Sequence, residues 1–194
     1  MGTEHHLPNP REGLLGALDR FVGPGATRAE LALQFILPLG VAGAAVSYAD
    51  SAVGTWSTLQ YILCAILAFD IMGGIITNAS SSGKRWYHRN GRSRLHHFGF
   101  VTLHLGHLAL VSWLFLGLDI AWLATTGIYL LIAGLTILFT PLYLQRPVAL
   151  IMYVGSVLIA IYALAPPLGI EWFLPLFYLK LLVAHLPKEV NVPQ

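Results

Sequence analysis

Hydrophobic positions follow one another in long, nearly unbroken runs, and polar positions collect in the short stretches between those runs. A helix needs about 20 apolar residues to cross the hydrocarbon core of a bilayer. The runs therefore predict an all-α, polytopic membrane helix bundle with about six transmembrane helices. Pro175 interrupts the sixth run. The six runs cover approximately residues 31–49, 57–77, 97–117, 120–142, 147–165 and 170–186.

Composition agrees with this assignment, because 56% of the 194 residues are hydrophobic and only 10% are charged. An ordinary soluble domain has about a quarter of its residues charged. We therefore expect no separate soluble domain, and divide the chain into an N-terminal segment (1–30), a six-helix membrane domain (31–186) and a tail (187–194). Within the first segment, residues 12–22 have apolar positions at helical spacing. This spacing suits a short helix that lies on the membrane surface or packs on the neighbouring loops.

Positive charge is almost confined to alternate loops of the predicted bundle. Cytoplasmic loops are enriched in Lys and Arg, so this distribution places both termini and the second and fourth loops in the cytoplasm. It predicts a multi-pass protein of a bacterial-type inner membrane, with attraction to anionic lipid and no nucleic-acid-binding signature. Lys180, inside the sixth run, is the exception. The cations on the predicted cytoplasmic side are Arg11, Arg20, Arg28, Lys84, Arg85, Arg89, Arg92, Arg94, Arg146 and Lys188.

Four histidines occupy one face of the third predicted span. At about 100 degrees per residue, they fall within about 100 degrees of one another around the helix. His104 and His107 are neighbours on that face, whereas His96 lies about 16 Å from His107 along the axis. We interpret the shared face as a set of metal ligands; for His96 and His97 the alternative is contact with lipid phosphates. The four are His96, His97, His104 and His107.

Asp70 is the most informative acid, because it lies within the apolar run of the second predicted span. A charged side chain inside a membrane is costly and marks a functional site by default. Asp70 and His104 lie at matching depth in two helices that one loop joins. Asp70 could ligate a metal directly or orient a histidine. It could also simply pair with Lys180 or hydrogen-bond to a neighbouring helix.

Two further histidines reach the same end of the predicted bundle. His185 ends the sixth run, and His88 lies in the basic loop, from which it could fold back over the site. Asn78 lies near the helix face of Asp70, at the level of the first histidines of the third span. Mixed histidine and carboxylate ligands suit non-haem iron or zinc. The single Cys64 excludes a thiolate metal site. The predicted ligands are Asp70, His88, His96, His97, His104, His107 and His185.

This set resembles the ligands of the histidine-motif membrane oxygenases, the fatty acid desaturases and hydroxylases, whose two irons are held by such residues. The resemblance covers residues 70–107 with His185, and includes HxxH at 104–107 and HH at 96–97. The chain lacks the HxxxH and repeated HxxHH boxes of that family. The resemblance is therefore one of site chemistry, and it implies a di-iron centre.

The predicted function is a membrane metalloenzyme that acts on a lipid or another hydrophobic substrate. A di-iron pair would hydroxylate or desaturate, and zinc would hydrolyse with Asp70 or a histidine such as His97 as the general base. The oxidative version needs an electron donor, for which the basic loop offers a docking surface. One alternative is a haem held by His185 with His104 or His107. Another is transport of metal ions or protons, although the spans hold few polar groups far from the basic loop.

Overall fold

Helices form nearly all of the computed structural model, which describes residues 8–188. His5, His6 and the predicted tail beyond residue 188 lie outside the described residues. No strand occurs within 8–188, so the all-α prediction is confirmed. A 3₁₀ turn (Leu142–Leu144) precedes α8, and α9 continues into a π-helical turn (Leu179–His185). The helices are α1 (Gly13–Val22), α2 (Arg28–Ala52), α3 (Thr58–Ala79), α4 (Ser81–Tyr87), α5 (Arg94–Leu103), α6 (Leu105–Phe115), α7 (Ile120–Phe139), α8 (Gln145–Tyr162) and α9 (Phe173–Tyr178).

Within residues 8–188, five helical stretches are long and apolar enough to cross a membrane. Much of their apolar surface faces outward, since Ile36, Leu39 and Phe139 are 70%, 63% and 68% exposed. Soluble monomers rarely expose large contiguous apolar patches. This surface is therefore typical of a membrane protein. The five stretches are Arg28–Ala52, Thr58–Ala79, Arg94–Phe115, Ile120–Phe139 and Leu142–Tyr162.

The sixth predicted span, 170–186, corresponds to a shorter helix, Phe173–His185. This helix is shorter than the roughly 20 residues that a membrane crossing needs. Pro175 lies in its first turn, where a proline removes no hydrogen bond, so it starts the helix instead of breaking it. Phe177, Leu181 and Leu182 are fully buried. Burial inside the bundle explains why this short helix is as hydrophobic as the spans.

α2 and α3 form a closely packed hairpin that positions Asp70. Capping boxes at Thr27 and Ser57 begin the two helices. Gly73 on α3 faces Pro38 of α2, and a Cβ at Gly73 would lie 3.6 Å from the Pro38 Cγ atom. Small residues of this kind let membrane helices approach closely. The hairpin therefore holds α3, with Asp70 at its middle, firmly against α2.

Both ends of the described chain contact the segment that joins α3 to α5. The Ser82 hydroxyl donates to the carbonyl of Val22 at 3.1 Å. The Lys84 ammonium donates to the carbonyl of Ala184 at 2.6 Å. We call the end of the bundle formed by α1, α4 and residues 88–93 the basic end. The first and last described segments thus meet at one end of the bundle.

α1 lies against α4 and turns its apolar side chains away from the protein. Arg11 folds back onto α1, and its Nε and Nη2 atoms donate to the carboxylate of Asp19 at 2.9 and 2.7 Å. These hydrogen bonds lower the pKa of Asp19 to about 2. Leu14, Leu15 and Phe21 are exposed. α1 therefore contacts the protein and also presents an apolar face, so it combines features of both arrangements predicted for residues 12–22.

Candidate metal centre

A tightened turn between α5 and α6 sets the positions of two histidines. His104 joins these helices, and its N–H donates to the carbonyl of Val101 at 3.1 Å. This bond spans three residues instead of four, as in a 3₁₀ turn. The rings of His104 and His107 are stacked, with centroids 4.8 Å apart and planes 9° from parallel. Both histidines therefore face the same neighbouring group on α3.

That group is Asp70, which also binds the buried lysine. The Asp70 Oδ2 atom accepts hydrogen bonds from Lys180 Nζ at 2.6 Å and from His107 Nε2 at 3.1 Å. One ligand atom each from Asp70, His104 and His107 lie within 4.8 Å of one another. We call these three residues with Lys180 the Asp70 group. Asp70 thus pairs with Lys180, as one interpretation predicted, and it also lies beside both histidines.

Gly74 makes room for the Lys180 side chain. A Cβ at position 74 would overlap the Cε atom of Lys180. The lysine is 3% exposed, so the aliphatic stem is packed against α3 where it passes this glycine. Gly73 therefore allows α2 to pack closely on α3, and Gly74 leaves space for the Lys180 side chain beside Asp70.

A second group of histidines surrounds His185. His97 Nδ1 and His185 Nε2 are 3.2 Å apart. Asn78 Nδ2 donates to the Gly74 carbonyl at 2.8 Å, so its Oδ1 accepts from His185 Nδ1 at 2.9 Å. His88 Nε2 donates to the His185 carbonyl at 2.9 Å, and its ring stacks on His97 at 4.5 Å. We call His88, His97 and His185 with Asn78 the His185 group.

The π turn directs both Lys180 and His185 toward α3. In a π turn the hydrogen bonds link residues five apart, so such residues lie above one another. In an α-helix they would point in different directions. Lys180 contacts Asp70, and His185 contacts Asn78 further along the same helix. Turns of this kind are frequent at functional sites.

Phe100 separates the two groups. Its ring centroid lies 4.4 Å from that of His104 and 4.2 Å from that of His185. The candidate residues therefore form two adjacent groups with an aromatic ring between them, and in the Asp70 group three ligand atoms lie within 4.8 Å of one another. A haem ligated by His104 and His185 would need the space that Phe100 occupies.

Hydrogen bonds fix the protonated nitrogen of three histidine rings. A carbonyl oxygen can only accept, so His104 Nδ1 donates to the Phe100 carbonyl at 2.8 Å. His88 Nε2 is likewise a donor, because its partner is the His185 carbonyl. His185 Nδ1 is a donor because its partner is the amide oxygen of Asn78. Nε2 of His104, Nε2 of His185 and Nδ1 of His88 are left unprotonated. Histidines that bind metals commonly donate their other N–H in this way.

The spacing of His97 and His185 also meets the geometry of a shared ion. Two nitrogens at about 2.0–2.1 Å from a tetrahedral zinc lie about 3.3 Å apart. Their separation here is 3.2 Å. Without an ion the same separation is a hydrogen bond, in which His97 Nδ1 donates to the unprotonated His185 nitrogen.

His96 belongs to neither group. Its side chain is exposed in the first turn of α5, and its Nδ1 lies 2.9 Å from Ser93 Oγ. The structure thus brings together six of the seven predicted ligands, three in each group. His96 lies apart from them at the surface.

A cavity of about 320 Å³ opens at the basic end and reaches His88 and His97. Burial, with smaller contributions from the charges of His97 and Lys84, lowers the pKa of His88 to about 4. His88 is therefore neutral near pH 7, which is the state that binds metals. The cavity gives a ligand from the basic end access to the His185 group.

Some residues of the site were only partly recognisable in the sequence. Lys180 stands out as a cation in an apolar run, and an intramembrane cation calls for a named partner. Asn78 lies near the helix face of Asp70, but its bond to His185 follows from the π turn. The position of Phe100 between the two groups could not be predicted from the sequence, because aromatic residues are common in membrane spans.

No model of a known protein family matches the chain, and neither a curated protein nor a solved structure matches it. Its function is therefore inferred from the geometry of the two groups.

Proposed function

We propose that this protein is an integral membrane metalloenzyme that acts on a lipid or another hydrophobic substrate. The observation that carries the proposal is the grouping of Asp70, His104 and His107, whose ligand atoms lie within 4.8 Å of one another. These residues come from α3 and from the α5–α6 turn. A carboxylate and two histidines that converge within an apolar membrane bundle mark a functional site by default.

The His185 group supports a second metal position beside the first. Its rings keep unprotonated nitrogens at His88 and His185. Histidine with carboxylate suits iron and zinc. When bound, zinc would supply a Lewis acid for hydrolysis, and a pair of irons would supply oxidative chemistry.

We assign the general base to His97. It lines the cavity at the basic end, so a ligand can reach it. In this role His97 is not a metal ligand: its Nδ1 donates to His185, which leaves Nε2 as the basic nitrogen. Asp70 is less suited to this role, because the ammonium of Lys180 already balances its charge. We assign Asp70 as a metal ligand that also orients His107.

We further propose that the basic end faces the cytoplasm of a bacterial-type inner membrane. The support is the concentration of Lys and Arg in α4 and residues 88–93. In the oxidative version, this loop would dock an acidic electron donor. In the hydrolytic version no donor is needed.

Metal content of the detergent-purified protein tests the proposal. We expect stoichiometric iron or zinc in the wild type and loss of most of it in the double variant His104→Ala with His107→Ala. The matched control is His96→Ala, because His96 is an exposed histidine outside both groups. This control should keep its metal. Circular dichroism and size-exclusion profiles of all three proteins would verify folding.

Three results would contradict the proposal. The first is a wild type without stoichiometric metal, and the second is equal loss of metal from the double variant and the His96→Ala control. The third is a Soret band in the absorbance spectrum, which would indicate haem instead.

A further inference from the structure

The cavity at the basic end has the chemistry of an anion site. Within the described residues its lining includes several cations and no acid. His88 and His97 form its inner part. Such a concentration of one sign of charge in a concave site attracts anions. The cations are Arg89, Arg92, Arg94 and Lys188.

Arg92 and Arg94 are the cations best placed to meet a ligand. Arg89 is engaged with Trp86, since its Nη1 donates to that residue's carbonyl at 2.6 Å and its guanidinium lies 3.6 Å from the ring centroid. Arg92 and Arg94 are exposed. The guanidinium of Arg94 lies 5.4 Å from the centroid of the Phe139 ring. Phe139 is the last residue of α7, and its side chain is exposed. Arg94 therefore borders both the cavity and the apolar surface.

Other parts of the cavity wall are apolar. Leu142 belongs to the same lining as the arginines and is 42% exposed, and Phe139 beside Arg94 is 68% exposed. A free inorganic anion makes no use of leucine side chains, whereas the tail of an amphiphile does. Arginines beside leucines at a membrane surface therefore favour a lipid with an anionic headgroup.

We propose that this cavity binds the phosphate headgroup of an anionic lipid and presents that lipid to His97. Guanidinium groups bind phosphate through paired, charge-assisted hydrogen bonds, and Arg92 and Arg94 would provide them. As a statement about the substrate, the inference rests on the proposed metalloenzyme function. As a statement about binding, it stands on the cavity and its cations alone.

Calorimetric titration of the protein in a neutral detergent tests the site. The probe is dihexanoyl phosphatidate, a soluble lipid with a phosphate headgroup. We expect saturable binding to the wild type, and binding weaker by at least about tenfold in the double variant Arg92→Gln with Arg94→Gln, which loses the paired hydrogen bonds. The control is Arg20→Gln with Arg85→Gln. It removes the same charge from two exposed cations that do not line the cavity, and should leave the affinity nearly unchanged.

Two comparison ligands distinguish the source of the phosphate. Dihexanoyl phosphatidylcholine, which has no net charge, should bind much more weakly than the phosphatidate. Inorganic phosphate that binds as tightly as the phosphatidate would overturn the assignment to a lipid. Equal weakening in both double variants would also overturn the proposal, because it would show diffuse attraction by surface charge.

Metal analysis of the same samples separates this inference from the proposed function. Wild type that holds metal and binds no phosphatidate contradicts the lipid site alone. Wild type that binds phosphatidate and holds no metal contradicts the metalloenzyme and leaves the lipid site in place.

Discussion

At the scale of single residues, Lys180 constrains the chemistry of the site most strongly. Its ammonium lies 2.6 Å from Asp70 Oδ2, on the carboxylate that is also a candidate metal ligand. A bound cation and this ammonium repel each other, so they compete for Asp70. The lysine therefore balances the charge of the carboxylate, and it would weaken the binding of the proposed metal.

Replacement of Lys180 by Met tests this competition. Without added metal, we expect a loss of about 2 kcal/mol of stability, less than for a fully buried pair because 39% of the Asp70 side chain is exposed. Added zinc should raise the unfolding temperature of Lys180→Met more than that of the wild type, because the ion replaces the lost positive charge. Thermal unfolding in detergent, with and without chelator, measures both effects.

The double variant Asp70→Asn with Lys180→Met is the control for this experiment. It removes both charges, so it should be more stable than Lys180→Met in the absence of metal. It should also respond less to zinc, since the carboxylate ligand is gone. A Lys180→Met variant that matches the wild type in stability and in its response to zinc would show that the pair has neither role.

At the scale of helices, hydropathy predicted most of the architecture because apolar side chains face lipid along nearly the whole length of each span. The same pattern could not show that α9 and the π turn are short and buried, since a buried helix and a lipid-facing one have similar composition. Equal depth in neighbouring helices correctly predicted that Asp70 lies beside His104.

Local departures from α-helical geometry account for what the sequence pattern missed. Ideal spacing put His96 on the face of His104, but the helix tightens at His104 and His96 is exposed at its start. Likewise, the π turn decides that Lys180 and His185 both contact α3. The hydrogen-bond register of a turn depends on packing against neighbouring helices, and hydropathy does not encode it.

The hydrogen bonds between Arg11 and Asp19, which hold the residues before α1 against this helix, should be lost at acid pH. The pKa of Asp19 falls from 3.8 to about 2 through its bonds to Arg11. The folded pKa is below the unfolded one, so the stabilisation is complete above about pH 4 and is lost as pH falls toward about 2. Pepsin should therefore cut α1 of Asp19→Asn faster than wild-type α1 at about pH 4, and at a similar rate at about pH 1.5.

The ratio of the two cleavage rates cancels the pH dependence of pepsin itself. Mass spectrometry of the fragments identifies cuts within Gly13–Val22. A ratio that stays constant between the two pH values would show that the Asp19 carboxylate does not hold this segment.

At the scale of the whole molecule, the cavity and the His185 group lie at the basic end, and the Asp70 group lies deeper, near the middle of α3. α9 and the π turn run down its interior and return the chain to the basic end, where Lys84 binds the carbonyl of Ala184. The buried helix thus carries Lys180 and His185 to α3 while the longer helices face outward. A ligand that enters from the basic end thus reaches His88 and His97 through the cavity, while the Asp70 group lies deeper, beyond Phe100.

Because this geometry gives the two ends of the bundle different roles, the side of the membrane that each end faces can be tested by cysteine labelling. Native Cys64 is fully buried, so the wild type should give little background with a membrane-impermeant maleimide. Arg85→Cys marks the basic end, and Leu168→Cys marks the exposed loop after α8 at the opposite end.

In bacterial cells whose outer membrane has been made permeable, Leu168→Cys should react with the maleimide while the inner membrane is intact. Arg85→Cys should react only after that membrane is opened, because loops rich in Lys and Arg stay in the cytoplasm. The reverse labelling order would place the basic end, and the cavity that reaches His97, on the outer side of the membrane.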